Sequence, residues 1–133
     1  MLEVLALIGC VMQAAVVDHA PPELAGTWRG TSTCTDRAAA PSCRDETVVY
    51  EFQPGAKPGT VTWKADKVID GKRAPMGEME LTYDSREKCW AADFRSASLQ
   101  SRWCLTIDGN HLTGTGQLLP GKQTIRKIDA RKE

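Results

Sequence analysis

The sequence predicts an all-β domain, most simply an eight-stranded antiparallel up-and-down barrel. Three observations carry this prediction. Beyond residue 26, eight short runs alternate apolar and polar side chains. The breaks between them are short and rich in Gly, Pro, Asn and Asp, and no run has a helical period. An even number of sequential strands can close on itself and leave no exposed edge, although a two-sheet sandwich is the alternative.

The individual strands follow from the alternation and from the breakers that end each run. Gly26-Thr27-Trp28 begins the first, and the Pro- and Gly-rich stretch 53–59 ends the second because proline cannot pair inside a ladder. The segment 70–75 is predicted as the third break, since it holds both Asp70-Gly71 and Pro75. The predicted strands are 27–34, 46–52, 60–68, 76–83, 88–95, 99–108, 111–119 and 123–131.

The fifth and sixth strands assign the inside of the barrel. A turn centred on Ser96-Ala97 would set Cys89 opposite Cys104 and Trp90 opposite Trp103, with the two pairs on opposite faces. The face with the tryptophans is then interior, and the two cysteines lie outside.

The sixth to eighth strands form a second register prediction. Gly109-Asn110 suits a two-residue hairpin turn, which sets Trp103 opposite Gly116. A three-residue loop before the last strand then places Gly116 opposite Arg126, so that these three residues form one interior row.

The first twenty residues predict an export leader, followed by a linker over 21–25 and the barrel over 26–133. Residues 1–17 are almost wholly apolar, and no Lys or Arg occurs before position 21. Two cleavage sites remain open. Leu7-Ile8-Gly9-Cys10 resembles a bacterial lipobox, which would lipidate Cys10 and anchor the protein; ordinary cleavage near Ala14, Ala15 or Ala20 would release it.

Four of the five cysteines lie in the predicted barrel, and an even number in a small exported domain indicates two disulfides. Of the three pairings we favour Cys34 with Cys43 and Cys89 with Cys104. No CxxC spacing is present, so no metal site is predicted.

Charge and motifs argue against several functions. The formal net charge is 0, with 17 basic and 17 acidic side chains, so no nucleic-acid partner is predicted. His19 falls in the leader, His111 lies beside a turn, and Glu78 and Glu80 share an outward face. No hydrolase, metalloprotease or nucleotide-binding motif occurs. We therefore predict no catalytic residues and no enzyme activity.

Gly26-Thr27-Trp28 resembles the opening motif of the lipocalin-like barrels. The resemblance implies that Trp28 closes the narrow end, which we call the floor, and that the longest loop lies at the opposite end, the mouth. It also implies a basic residue over this tryptophan, for which Arg131 is the candidate. Residues 26–30 are similar to the strand A motif of the nitrobindin haem barrels as well; no histidine lies near the C-terminus to ligate iron, so no cofactor is predicted.

The alternation predicts an interior site toward the mouth, where apolar walls and one cation would bind a small hydrophobic or amphipathic acidic ligand. Two alternatives remain: a filled structural core, or a protein-binding barrel resembling periplasmic lysozyme inhibitors, with loops 35–45 and 69–75 as its surface. The predicted site residues are Tyr50, Trp63, Met79, Phe94, Trp103 and Arg126.

Overall fold

A computed structural model describes residues 23–133. These residues form a closed antiparallel barrel of eight strands that pair in sequential order, and the last strand pairs with the first. The prediction of an all-β barrel is confirmed. No helix in this range is long and apolar enough to cross a membrane. The strands are β1 (Gly26–Cys34), β2 (Glu46–Pro54), β3 (Thr60–Ile69), β4 (Lys72–Asp84), β5 (Cys89–Arg95), β6 (Gln100–Asp108), β7 (His111–Leu118) and β8 (Gln123–Lys132).

Strand direction gives the barrel two different ends. The floor holds the loops 55–59, 85–88 and 109–110 together with the start of β1, and the mouth holds the loops 35–45, 70–71, 96–99 and 119–122. Between them lies an apolar core of inward-facing side chains. Its buried members include Leu24, Trp28, Val48, Phe52, Val61, Leu81, Leu105, Leu112 and Ile128.

β4 begins earlier than predicted. Asp70 and Gly71 both have positive φ, as the two-residue turns that join tight hairpins require, and Ile69 pairs with Lys72 directly across them. Pro75 lies inside the strand rather than in a break. A β-bulge accommodates it, because the register shifts between the pairs Ala65–Gly77 and Asp66–Pro75.

The predicted register of β5 and β6 is wrong by two residues. Arg95 pairs with Gln100, so a four-residue loop joins the strands, and Ser96 closes it through hydrogen bonds with Leu99. Trp90 consequently lies opposite Leu105, and Trp103 lies opposite Ala92. A shift of two residues keeps every side chain on its face, so the predicted interior is unchanged.

Both favoured disulfides are present, Cys34–Cys43 and Cys89–Cys104. Cys104 lies opposite Ala91, so the second bridge joins diagonal rather than opposed positions. Its sulfurs also lie near Glu87, but their covalent bond leaves no thiolate to bind a metal ion there.

The floor is closed by Trp28, which is fully buried and whose Nε1 donates to the carbonyl oxygen of Leu24 at 3.0 Å. The prediction that Arg131 covers this indole is wrong. Trp28 pairs with Lys132, whereas Arg131 pairs with Arg29 and is exposed on the opposite face. Lys132 Nζ instead lies 5.7 Å from the ring centroid, a cation–π contact.

Arg102 forms an ion-pair cluster on the outer face of β4, β5 and β6. Its guanidinium contacts Asp84 at 2.8 Å, Asp93 at 2.9 Å and Glu87 at 3.3 Å. Asp84 also accepts hydrogen bonds from the backbone N–H groups of Glu87 and Arg86. These two bonds, aided by the charge of Arg102, hold the pKa of Asp84 below its ordinary value.

We expect Asp84 to contribute to acid unfolding. A carboxyl group with a lowered folded-state pKa stabilises the fold above its unfolded pKa of about 3.9, and this stabilisation is lost as the pH falls through the folded value. Asp84→Asn keeps an oxygen for the two N–H donors but has no charge to lose. Its urea-unfolding midpoint should therefore fall less steeply between pH 4 and pH 2 than that of the wild type.

Asp70→Asn is the matched control, because it removes one carboxylate from an exposed turn at the other end of the barrel. If the urea-unfolding midpoint of the Asp84 variant falls as steeply with pH as that of the wild type, the Arg102 cluster does not govern acid unfolding.

Candidate functional site

A cavity of about 270 Å³ opens at the mouth end of the barrel. All six residues predicted from the sequence line it: Tyr50, Trp63, Met79, Phe94, Trp103 and Arg126. The structure adds Ser32, Glu46, Ala65, Met76, Gly77, Glu78 and Leu99. The interior phase of the strands thus brings the predicted residues together around one space.

The inner wall of the cavity is an aromatic cluster. Trp63 lies at its centre, edge-on to Tyr50 at 5.1 Å and to Trp103 at 5.8 Å between ring centroids, and it stacks on Phe52 at 6.2 Å. Edge-to-face and offset contacts of this kind add to the stabilisation that burial alone provides. Tyr50, Phe52 and Trp63 are nearly inaccessible to solvent, so these rings form a rigid base beneath the cavity.

Trp103 occupies the space that a neighbouring glycine leaves. It pairs with Gly116 across β6 and β7, as predicted, and a Cβ added at Gly116 would lie 2.7 Å from the indole ring. Its Nε1 donates to the buried hydroxyl of Ser101 at 3.1 Å. This hydrogen bond and the close contact with Gly116 fix the orientation of the indole beside the cavity.

Arg126 is the cation of the cavity, and it lies opposite Gly116 as predicted. Its Nη1 donates to the carbonyl and the hydroxyl oxygens of Ser32, and its Nη2 donates to the carbonyl oxygen of Arg44 at 2.9 Å. Nη2 also lies 3.5 Å from a carboxylate oxygen of Glu46. The guanidinium is therefore held in place and already has an anionic partner.

Glu46 is the charged partner of Arg126 that the sequence analysis missed. It lies opposite Ser32, at the start of β2, on the interior face that Val48, Tyr50 and Phe52 continue. The sequence signal that could have identified it is an acidic residue in the same alternation phase as these interior side chains. Burial, followed by the charge of Glu46, raises the pKa of the Tyr50 hydroxyl well above its ordinary value, so Tyr50 is a neutral phenol at physiological pH.

The mouth loop 35–45 supports this polar group. The Cys34–Cys43 bridge closes most of the loop, and Asp45 accepts a hydrogen bond from the backbone N–H of Cys34 at 2.8 Å. The same loop supplies the Arg44 carbonyl that binds Arg126. One disulfide therefore helps to position both the cation and its carboxylate partner.

The outer part of the cavity lining is apolar and accessible. Met76, Phe94 and Leu99 are each about 40% exposed although they line the cavity: 41%, 42% and 40%. Few large apolar side chains in residues 23–133 are so exposed, and these three surround one opening. A cluster of accessible apolar side chains at a concave site is typical of a binding surface.

A scan of protein-family models and searches of curated proteins and of solved structures found no match to the chain. The coordinates nonetheless define a class: a small, doubly disulfide-bonded, closed antiparallel barrel with a mainly apolar cavity at one end. The closed eight-stranded architecture is consistent with a lipocalin-like barrel, and no comparison assigns the chain to that family.

Proposed function

We propose that this protein is an exported, non-catalytic barrel that binds a small, mainly apolar ligand in its mouth cavity. The observation that carries the proposal is the cavity itself, with its rigid aromatic base and accessible apolar rim. Its volume of about 270 Å³ is close to the lower end of the range of ligand-site volumes, which starts near ~300 Å³. Two disulfides are typical of exported proteins and support that location.

The ligand is neutral rather than acidic in this proposal. Glu46 already balances the charge of Arg126, and Glu78 contributes a further carboxylate to the lining. An acidic head group would compete with Glu46 for the same guanidinium nitrogen. We therefore expect linear alcohols to bind more tightly than carboxylates of equal chain length.

Glu46→Gln provides the test. Once the competing carboxylate is removed, Nη2 of Arg126 can pair with a ligand anion, and we expect the affinity for decanoate to rise about tenfold, in keeping with a charge-assisted hydrogen bond. Affinity for decanol should be almost unchanged. Both are measured by calorimetry and by quenching of tryptophan fluorescence, since Trp63 and Trp103 line the cavity.

Glu51→Gln is the matched control, because Glu51 is a carboxylate of the same strand that pairs with Arg73 on the outer face. If decanoate binds more tightly than decanol to the wild type, Arg126 is available to acids and the neutral-ligand proposal is wrong. If neither compound nor any other small apolar probe binds, the ligand-binding function itself is wrong.

A protein-binding role of the mouth is the second candidate. Ile69, at the tip of the β3–β4 hairpin, is 49% exposed and belongs to one of the loops predicted as a protein-binding surface. Inhibition of lysozyme by the barrel, with relief of that inhibition in Ile69→Ser, would favour this function over ligand binding.

A further inference from the structure

The wall of the barrel is incomplete beside the cavity. β4 and β5 form only the pairs Thr82–Ala91, Tyr83–Trp90 and Asp84–Cys89, all near the floor. Within the described residues 23–133, β4 and β5 do not pair with each other toward the mouth. The unpaired residues are 72–81 of β4 and 92–95 of β5. We call this unpaired region the β4–β5 seam.

The cavity reaches into this seam. Its lining includes Met76 to Met79 from β4, Phe94 from β5 and Leu99 from the following loop. Glu78 alternates with the inward-facing Met79, and its carboxylate lies 3.9 Å from Lys64 Nζ on the outer face, yet Glu78 lines the cavity as well. A cavity that is lined by residues of both phases of a strand extends past the edge of that strand.

The charges at this position disfavour a continued ladder between β4 and β5. If the register of the three existing pairs continued, Glu80 would lie directly opposite Asp93. Like charges at opposed positions destabilise a ladder. Glu80 instead accepts a hydrogen bond from Thr60 at 2.6 Å, and Asp93 accepts one from Arg102 at 2.9 Å, so both carboxylates have partners other than each other.

The unpaired edge is also protected against pairing with another chain. Pro75 has no N–H to donate, and a β-bulge lies beside it. The same edge carries the exposed Glu78 and Glu80. These are features by which edge strands avoid adding a further strand. The seam therefore fits a small molecule better than a peptide strand.

The geometry points to a lateral portal: a single-chain amphiphile places its apolar end among the aromatic rings and leaves the barrel between β4 and β5. This inference rests on the proposed function and specifies its ligand class. The cavity of about 270 Å³ takes one end of such a chain, and the exposed side chains of Met76, Phe94 and Leu99 cover the continuing part.

A chain-length series of linear primary alcohols from six to fourteen carbons tests the portal in the wild-type protein. Each methylene that enters the apolar space should tighten binding about fourfold. Once the space is full, affinity should level off, because further methylenes lie across the rim. An enclosed cavity would instead give a sharp loss, more than tenfold, beyond a limiting length.

A second experiment uses a variant that should close the seam. In Glu80→Lys, the lysine introduced at position 80 would face Asp93 in the continued register and attract it, whereas the matched control Glu80→Gln removes repulsion without adding attraction. We expect Glu80→Lys to weaken binding of the longest alcohol at least tenfold relative to hexanol. Acrylamide quenching of tryptophan fluorescence, which needs no ligand, should fall in the same variant and fall less in Glu80→Gln.

The outcomes separate the two proposals. Binding of short alcohols with a sharp length limit overturns the portal but leaves the ligand-binding function standing. Failure of all lengths to bind overturns both. Wild-type length dependence and unchanged acrylamide quenching in a folded Glu80→Lys protein overturn the role of the seam.

Discussion

Replacing Trp28 by alanine is expected to lower the free energy of unfolding by about 3–5 kcal/mol, the usual range when a buried aromatic side chain is removed from a core. Trp28 is completely buried at the floor, between Leu24 below and the strand partners Tyr50 and Lys132 beside it. The cavity that alanine leaves cannot collapse easily, because a closed ladder surrounds it. Thermal unfolding should shift downward by roughly 10–20 °C.

Trp28→Phe separates the contribution of the aromatic ring from that of the indole hydrogen bond. It retains an aromatic ring but removes the Nε1 donor, so the carbonyl oxygen of Leu24 loses its partner. We expect a loss of about 1–2 kcal/mol for this variant, from the hydrogen bond and the smaller ring. Urea unfolding with both disulfides intact measures the two variants. A loss below about 1.5 kcal/mol in Trp28→Ala would show that the floor does not depend on this residue.

The strand phases could be predicted because alternation fixes which face is buried, whatever the turns do. The β5–β6 loop shows the limit of this reasoning. A two-residue and a four-residue loop differ by two in register and leave Trp90 and Trp103 on the same face, so alternation cannot distinguish them. The hydrogen bonds of Ser96 with Leu99 stabilise the longer loop, and alternation carries no signal for them.

The floor cation shows an error that phase alone could have prevented. Arg126, Ile128, Ala130 and Lys132 share the interior phase of β8, whereas Arg131 belongs to the exterior phase. Reading that phase to its end places Lys132, not Arg131, over the indole. The same reading along β2 would have added Glu46 to the interior face, although only the structure shows that it pairs with Arg126.

The seam is different, because no local pattern encodes it. The sequences of β4 and β5 both alternate as ordinary strands do. Their separation depends on which residues the register between the two strands would set opposite each other. The opposition of Glu80 and Asp93 can be recognised only when the register near the floor is known. This part of the candidate site therefore required the structure.

Gly30→Ala is expected to disrupt the closure between β1 and β8. Gly30 lies between Val48 and Ala130, and β8 approaches it so closely that an added Cβ would lie on the carbonyl oxygen of Asp129 and 2.5 Å from the Cα of Ala130. Both colliding atoms belong to the backbone, so rotation of a side chain cannot relieve the contact. We expect a loss of about 3 kcal/mol, the upper end of the range for overpacked sites.

Thr31→Ala is the matched control, since Thr31 is exposed, neighbours Gly30 on β1 and pairs with Asp129 on the same strand. Its effect should stay below about 1 kcal/mol, the span of strand propensities. Amide hydrogen exchange should locate the Gly30→Ala defect in β1 and β8, with β5 and β6 less affected, because displacement of the backbone breaks the ladder where the two strands meet. Stability within about 1 kcal/mol of the wild type would mean that β8 can move away from β1 without loss of closure, and that the barrel does not need a residue without a Cβ at position 30.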